Sequence, residues 1–311
     1  MFACSCERQT TPVSCLPITY YSSSIALRIT VTVLQVLQNT ADFFARKGIE
    51  SPRLNIEHLL ADTLGKRRID LYLEFDRTLS EEELAPLREK VRRRVEGEPL
   101  QYLLGSWDFY GRSFQTDQRA LIPRPETEVL VEIGLKAIRA RPTRHHRLLD
   151  IGTGSGILAI TFALECPNLE VVGSDISPPA LNLARENARR HGLVDRIEWV
   201  ESDLLGSVTG TFDFVVANLP YISTEELPKL APEVRYDPRL ALDGGPEGLA
   251  VIRRAVEELP SALTDGAFMI LEVGFDQADR VTDLMTAQKF RDISVENDYQ
   301  GVRRFVTAWY G

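Results

Sequence analysis

No uninterrupted apolar run in the 311 residues reaches the roughly 18 residues that a bilayer-spanning helix needs, so no membrane span is expected. Positive charge is also scarce. With 36 Lys and Arg against 45 Asp and Glu, the net charge is -9 and the pI near 5.2, which argues against the broad basic surface that a phosphate backbone requires. Direct binding of nucleic acid is therefore disfavoured. Of only four cysteines, Cys4, Cys6 and Cys15 lie in the first fifteen residues and Cys166 alone in the body. A disulfide framework is excluded, and a reducing, cytoplasmic setting fits best. No second Cys/His pair follows Cys4-x-Cys6 at zinc-finger spacing, so no metal is assigned.

The rest is ordinary globular composition, 44% hydrophobic and 26% charged, in a chain long enough for one large domain and a smaller one. Residues 1–30 are rich in Ser, Thr and Cys, lack a basic region joined to an apolar one and show no helical period; they read as a disordered extension. Over residues 31–96 apolar side chains recur at helical spacing, as in Leu34, Leu37 and Phe44 and then Ile56, Leu59, Leu60 and Leu64. This predicts a small helical bundle suited to substrate recognition. Ser51-Pro52 and Ser80 mark helix starts, the second with Glu83 placed to complete a capping box. The cations from Arg88 to Arg94 read as the solvated face of a helix.

Between residues 97 and 122 the pattern changes to alternating aromatics around Tyr110-Gly111-Arg112, which predicts a hairpin linker. From residue 123 a second domain begins. Pro123 to Glu128 opens a helix carrying Val129, Leu130, Ile133 and Leu135. Strand and helix patterns then alternate through Arg147–Asp150, Ile157–Glu165, Leu169–Asp175, Pro179–Arg190, Arg196–Val200 and Phe212–Ala217. Such alternation predicts an α/β fold with a mainly parallel sheet. Ala267–Val273 and Arg303–Trp309 read as later strands, with no helix between Ile293-Ser294-Val295 and the last of them, so the sheet is expected to end in an antiparallel strand.

Two places carry chemistry. Leu148 to Gly156 is a strand running into Gly152-Thr153-Gly154-Ser155-Gly156, where glycine lets the backbone approach a ligand closely. A dinucleotide fingerprint would want glycine at Ile157, so pyrophosphate binding is less well supported. Asp175 closes the next strand, 23 residues beyond Gly152, where an acid can accept from both ribose hydroxyls. Asp203 follows the strand after that, placed to reach an adenine edge. Each Asp taken singly is equally an ordinary loop or cap residue. The second place is Asn218-Leu219-Pro220-Tyr221, which ends the run Phe212–Ala217. It reads either as a plain strand-ending turn or as a grip on a planar nitrogen, with the Asn218 and Leu219 carbonyls accepting N–H bonds and Tyr221 stacking.

Taken together, Asp150-Ile151-Gly152-Thr153-Gly154-Ser155-Gly156, Asp175, Ser202-Asp203 and Asn218-Leu219-Pro220-Tyr221 resemble the class I S-adenosylmethionine-dependent methyltransferases. They especially resemble the protein-glutamine N5-methyltransferases acting on peptide chain release factors. The resemblance extends to Gly97–Tyr102, Leu121–Glu128, Glu233–Pro238, Leu242–Gly245 and Asn297–Gly301, and leaves out residues before about Thr32. It implies a Rossmann-like seven-stranded methyltransferase sheet over residues 123–311. It also implies S-adenosyl-L-methionine as methyl donor, and the glutamine of a Gly-Gly-Gln motif in class I peptide chain release factors as acceptor. Gly152, Thr153, Gly154, Ser155, Gly156, Asp175, Asp203, Leu204 and Asn218 would bind the cofactor. Asn218, Leu219, Pro220 and Tyr221 would form the catalytic and substrate-binding loop.

The family usually has proline where this chain has Leu219; leucine keeps the carbonyl, frees φ and leaves its side chain open to change. An amide nitrogen is a poor nucleophile, so positioning and electrostatics must carry the reaction without a strong base. None of His58, His145, His146 or His191 lies near these motifs, consistent with base-free chemistry. The alternatives are a ribosomal-protein glutamine methyltransferase, an adenine-N6 nucleic acid methyltransferase with a similar loop, and a non-catalytic nucleotide-binding adaptor of translation.

Overall fold

The computed structural model describes residues 31–141 and 145–311. Cys4, Cys6, Cys15 and the extension read for residues 1–30 lie outside the described residues. The chain divides into two compact units, with the boundary between Val95 and Glu96.

In the first unit a short strand β1 (Val31–Thr32) leads into helices α1 (Val33–Arg46), α2 (Pro52–Thr63) and α3 (Arg68–Leu73). β2 (Thr78–Leu79) then pairs antiparallel with β1 before α4 (Glu81–Val95). Of the periodic positions the sequence marked, Leu37, Phe44, Ile56, Leu59 and Leu60 are fully buried, while Leu34 and Leu64 are partly exposed. The capping box forms as expected: Glu83 N–H donates to Ser80 Oγ at 3.3 Å, and Ser80 N–H to Glu83 Oε2 at 2.9 Å. The cationic run is only partly a solvated face. Arg94 is buried and donates through Nε to Asn55 Oδ1 at 2.7 Å, tying α4 to α2. Glu57, also buried, gathers Arg53, Arg68 and Tyr72. Burial alone would raise its pKa, but those three donors outweigh it and hold the carboxyl below its usual value.

The second unit opens with α5 (Leu100–Leu104) and a hairpin, β3 (Ser106–Phe109) and β4 (Arg112–Gln115), whose Phe109 and Phe114 are buried in this unit's core. There follow α6 (Thr127–Arg139), β5 (Arg147–Ile151), α7 (Ile157–Glu165), β6 (Glu170–Asp175), α8 (Pro178–Arg190), β7 (Ile197–Glu201) and β8 (Phe212–Asn218). The chain closes with α9 (Ala250–Glu258), β9 (Leu263–Glu272), α10 (Ala278–Ala287), β10 (Phe290–Asn297) and β11 (Arg303–Tyr310). One seven-stranded sheet results, in the order β10-β11-β9-β8-β5-β6-β7.

Strands β9, β8, β5, β6 and β7 run parallel, and β8, β5 and β6 in their middle are covered on both faces, which is why they read as largely apolar runs. Successive residues of β5 and β8 alternate between two cores: Leu148, Phe214 and Val216 on one side, Leu149, Ile151, Val215 and Ala217 on the other. The antiparallel strand expected at the end of the sheet is β11, but it lies second from the edge. α10 carries the chain past that place to β10, and the tight return inserts β11 between β10 and β9.

Candidate active site

The order of the sheet dictates where a ligand can sit. β5 leads to β6 and β7 on one side, and the chain then crosses back to lay β8 on the other, so the carboxyl ends of β5 and β8 flank a topological switch point. Ile151 and Ala217 are register partners at those two ends. The glycine turn starts one residue beyond the first, and Asn218 one residue beyond the second.

Gly152, Gly154 and Gly156 all have left-handed φ, at +69°, +56° and +83°. A Cβ at Gly156 would also stand 3.0–3.1 Å from Ala184, Ile160 and Trp199, so a side chain there is excluded twice over. The turn is held from behind by two acids. Asp150 Oδ2 accepts from Thr153 Oγ1 at 2.5 Å and from Ala159 N–H at 3.1 Å, while its Oδ1 is buried with no partner among the described residues. Burial pushes Asp150 up to about 7, against the pull of Thr153 and Ala159. Asp175 Oδ2 accepts Gly154 N–H and its Oδ1 accepts Ser177 N–H, both at 2.8 Å. Burial raises Asp175 as well, opposed by these backbone donors. Each of its oxygens retains a lone pair for a further donor. Behind the turn, Asn187 takes Gln115 N–H at 2.7 Å and donates to Ser155 O at 3.0 Å, joining hairpin, α8 and glycine turn.

Gly152 to Ser155, Asp175 and Ser177 line a cavity of about 270 Å³. Its walls include residues 119–124, Gly152 to Ser155, 175–177, 202–204, 218–220 and Pro238, Leu240, Ala241 and Asp243. Arg119, which faces it, is fixed by Asp117 and Glu186, each at 2.7 Å. Asp237 ties two walls together, accepting from Tyr102 Oη at 2.9 Å, Ile122 N–H at 3.3 Å and Arg124 Nη2 at 2.7 Å. Asp203 stands at the rim, half exposed and paired with Arg254 at 2.9 Å. Leu204 beside it has φ +49°, a strained setting for a side-chain-bearing residue and the kind found at ligand sites.

The Asn218 loop is clamped from below. Asn218 Nδ2 donates to Thr127 Oγ1 at 3.3 Å, and Thr127 Oγ1 donates to Glu272 Oε2 at 2.7 Å. Glu272 is almost wholly buried and is pushed up to about 7 by that burial, with Thr127, Arg304 and Asn218 pulling it back. Leu219 is 4% exposed and packs on the turn itself: its Cδ2 lies 3.0 Å from where a Gly152 Cβ would be. The sequence left this side chain open to change; its packing on Gly152 does not. Tyr221 packs against the core, and its phenol is pushed up to about 12, first by burial and then by Glu272. Gln277 Nε2 donates to the Tyr221 carbonyl at 2.9 Å, and a Cβ at Gly248 (φ +70°) would come within 2.2 Å of the same oxygen.

Ten of the sequence-derived residues thus line one cavity: Gly152, Thr153, Gly154, Ser155, Asp175, Asp203, Leu204, Asn218, Leu219 and Pro220. Gly156 caps α7 behind it, and Tyr221 lies outside the lining. Arg119, Arg254, Glu272 and Gln277 were not singled out from sequence. The one signal for Glu272 was an acid closing an apolar strand, a place where a charge is costly without a partner. Among the described residues no group of three or more His, Cys, Asp or Glu could hold a metal, and no helix is long and apolar enough to cross a membrane.

A glycine turn after the central strand, an acid closing the next and a seven-stranded sheet with one reversed strand define a Rossmann-like methyltransferase. Comparison with known proteins makes this specific. A family model described as "PrmC N-terminal domain" matches residues 35–105, and one described as "Methyltransferase small domain" matches residues 127–259. A release factor glutamine methyltransferase of Geobacter sulfurreducens is 42% identical over 282 residues, covering 90% of this chain and 97% of its own. Another, from Chlorobaculum tepidum, is 41% identical over 282 residues, covering 88% and 95%. Among solved structures, the hMettl16 catalytic domain in complex with MAT2A 3'UTR hairpin 6 is 16% identical with a TM-score of 0.54. It covers 75% of this chain and 84% of that one, a likeness of fold alone. The chain belongs to the release factor glutamine methyltransferase family.

Proposed function

We propose that this enzyme transfers a methyl group from S-adenosylmethionine to the side-chain amide nitrogen of the glutamine in the Gly-Gly-Gln motif of class I peptide chain release factors. The observation that carries the reading is the placement of Asn218. It lines the same cavity as the glycine turn, on the neighbouring strand end, with its N–H committed to Thr127.

The cavity suits the cofactor chemically. Left-handed glycines bring backbone close to a ligand, Asp175 keeps lone pairs for ribose hydroxyls, and Asp203 with Leu204 forms the wall for an adenine. When bound, S-adenosylmethionine supplies an electrophilic methyl on a sulfonium. The protein's own contribution is to aim and polarise the acceptor. The Asn218 and Leu219 carbonyls accept the two N–H bonds of the glutamine amide, orient its nitrogen toward the turn and stabilise the positive charge that grows on it. No histidine lines the cavity, and burial keeps the Tyr221 phenol neutral, in keeping with a proton that leaves after transfer rather than before.

Intact-mass analysis of a purified release factor incubated with enzyme and S-adenosylmethionine, followed by mapping of the modified residue, tests this. One added methyl on the Gly-Gly-Gln glutamine is expected. Modification elsewhere, or on a nucleic acid offered in parallel, would overturn it.

A further inference from the structure

An asparagine side chain is nearly symmetric in shape, and turning it end for end exchanges an acceptor for a donor at almost no steric cost. Only its hydrogen-bond partners decide which end faces a ligand. At Asn218 that choice governs the chemistry, because an N–H directed at an amide nitrogen would repel the donor hydrogens it has to receive.

The partners are Thr127 at the start of α6 and Glu272 at the end of β9, the strand-register partner of Asn218. A threonine hydroxyl has one proton. Here it goes to Glu272 Oε2 at 2.7 Å, and both residues are buried, so Thr127 can offer Asn218 only lone pairs. The Asn218 N–H at 3.3 Å is the bond that fits this arrangement, and it leaves the Asn218 oxygen for the cavity. Of the groups facing Glu272, Arg304 from β11, itself paired with Asp298 at 2.9 Å, and Asn218 favour its carboxylate, while Glu126 just before α6 opposes it and the Tyr221 phenol is raised by it. Without an acceptor at Glu272, the Thr127 proton would be free to point at Asn218 and favour the reversed amide.

We propose that Thr127 and Glu272 are positioning residues that fix the Asn218 amide with its oxygen toward the methyl acceptor. This rests on the role given to Asn218 above. Steady-state methylation of a purified release factor by full-length variants tests it. Thr127→Val keeps the shape and removes the lone pairs; kcat is expected to fall about 10- to 100-fold, the usual cost of a misaligned reacting group, while KM for the release factor and Kd for S-adenosylmethionine stay within about threefold. Thr127→Ser restores the hydroxyl and should recover kcat to within about threefold of wild type. In an Asn218→Ala background, Thr127→Val should produce no further fall, because it acts only through the lost amide.

If Thr127→Val does not fold, Glu272→Gln decides: its new N–H can turn toward Thr127 and release the threonine proton, lowering kcat with donor binding unchanged. Wild-type kcat in whichever of these two folds, failure of Thr127→Ser to rescue, or a full additional loss in the Asn218→Ala background would overturn the relay. Wild-type turnover by Asn218→Ala alone would instead sink the role of Asn218 itself, a distinguishable failure.

Discussion

Leu219→Ala is the sharpest probe of how the two halves of the site are joined. The Leu219 side chain is 4% exposed, belongs to the core that includes Ile151, Ala217 and Leu249, and rests on Gly152. Removing three carbons from such a place costs the lost transfer free energy plus a cavity term, which together span about 2–5 kcal/mol. One side of Leu219 borders a cavity that water can enter, so part of the void is relieved and the lower end, about 2–3 kcal/mol, is expected. For a unit of this size that lowers Tm by about 5–10 °C. Because the leucine supports the glycine turn, affinity for S-adenosylmethionine should weaken alongside, by about three- to tenfold. Calorimetric melting and isothermal titration with S-adenosylmethionine measure the two effects. Leu219→Met, close in volume, serves as control and should cost under about 1.5 kcal/mol. A Leu219→Ala enzyme melting within about 2 °C of wild type and binding the cofactor equally well would show that the side chain supports nothing.

Other expectations follow from the same geometry. Asn218→Ala should lower kcat/KM by about 2–4 kcal/mol of transition-state binding, by analogy with loss of an oxyanion-hole donor, with near-native turnover speaking against it. Asp175→Asn should weaken S-adenosylmethionine binding about 10- to 100-fold, since one oxygen that holds Gly154 or Ser177 becomes a donor; unchanged calorimetric affinity would contradict this. Asp150 and Glu272, each pushed up to about 7, bind protons in the folded state that the unfolded chain has released. Their stabilising contribution is complete below about pH 4 and is lost as pH rises through about 7. Urea unfolding at pH 5.5 and 7.5 should therefore show this loss, on the order of 1–2 kcal/mol per group, and Asp150→Asn should reduce it; an unchanged slope in the variant would refute the assignment.

Much of this fold was legible because its signals are local. α7 was read at its true limits, Ile157–Glu165, from an apolar run opened by glycine, and β8 ends one residue past Ala217, where the apolar run stops. The parallel strands betrayed themselves by alternating with helical patterns. The site was legible where its residues sit on strand ends in sequence order, as Gly152, Asp175 and Asn218 do. What lay hidden was long-range pairing. Thr127 and Glu272 are 145 residues apart, and neither has a neighbour whose spacing announces the other. Arg94 looked like its neighbours in a cationic helix until Asn55, 39 residues earlier, turned out to hold it inside. The place of β11 was likewise invisible, because a hairpin reads the same at the edge of a sheet as one strand in.

The register of Ile151 with Ala217 fixes more than a pair of hydrogen-bonded strands. The glycine turn and the Asn218 loop spring from adjacent strand ends, so their separation starts from an inter-strand spacing of about 4.8 Å set by the peptide backbone. That yardstick is independent of side-chain identity. A change of side chain elsewhere in the cavity, in residues 119–124 for example, therefore leaves that spacing untouched. A redesign of the cavity should leave the pairing of β5 with β8 alone.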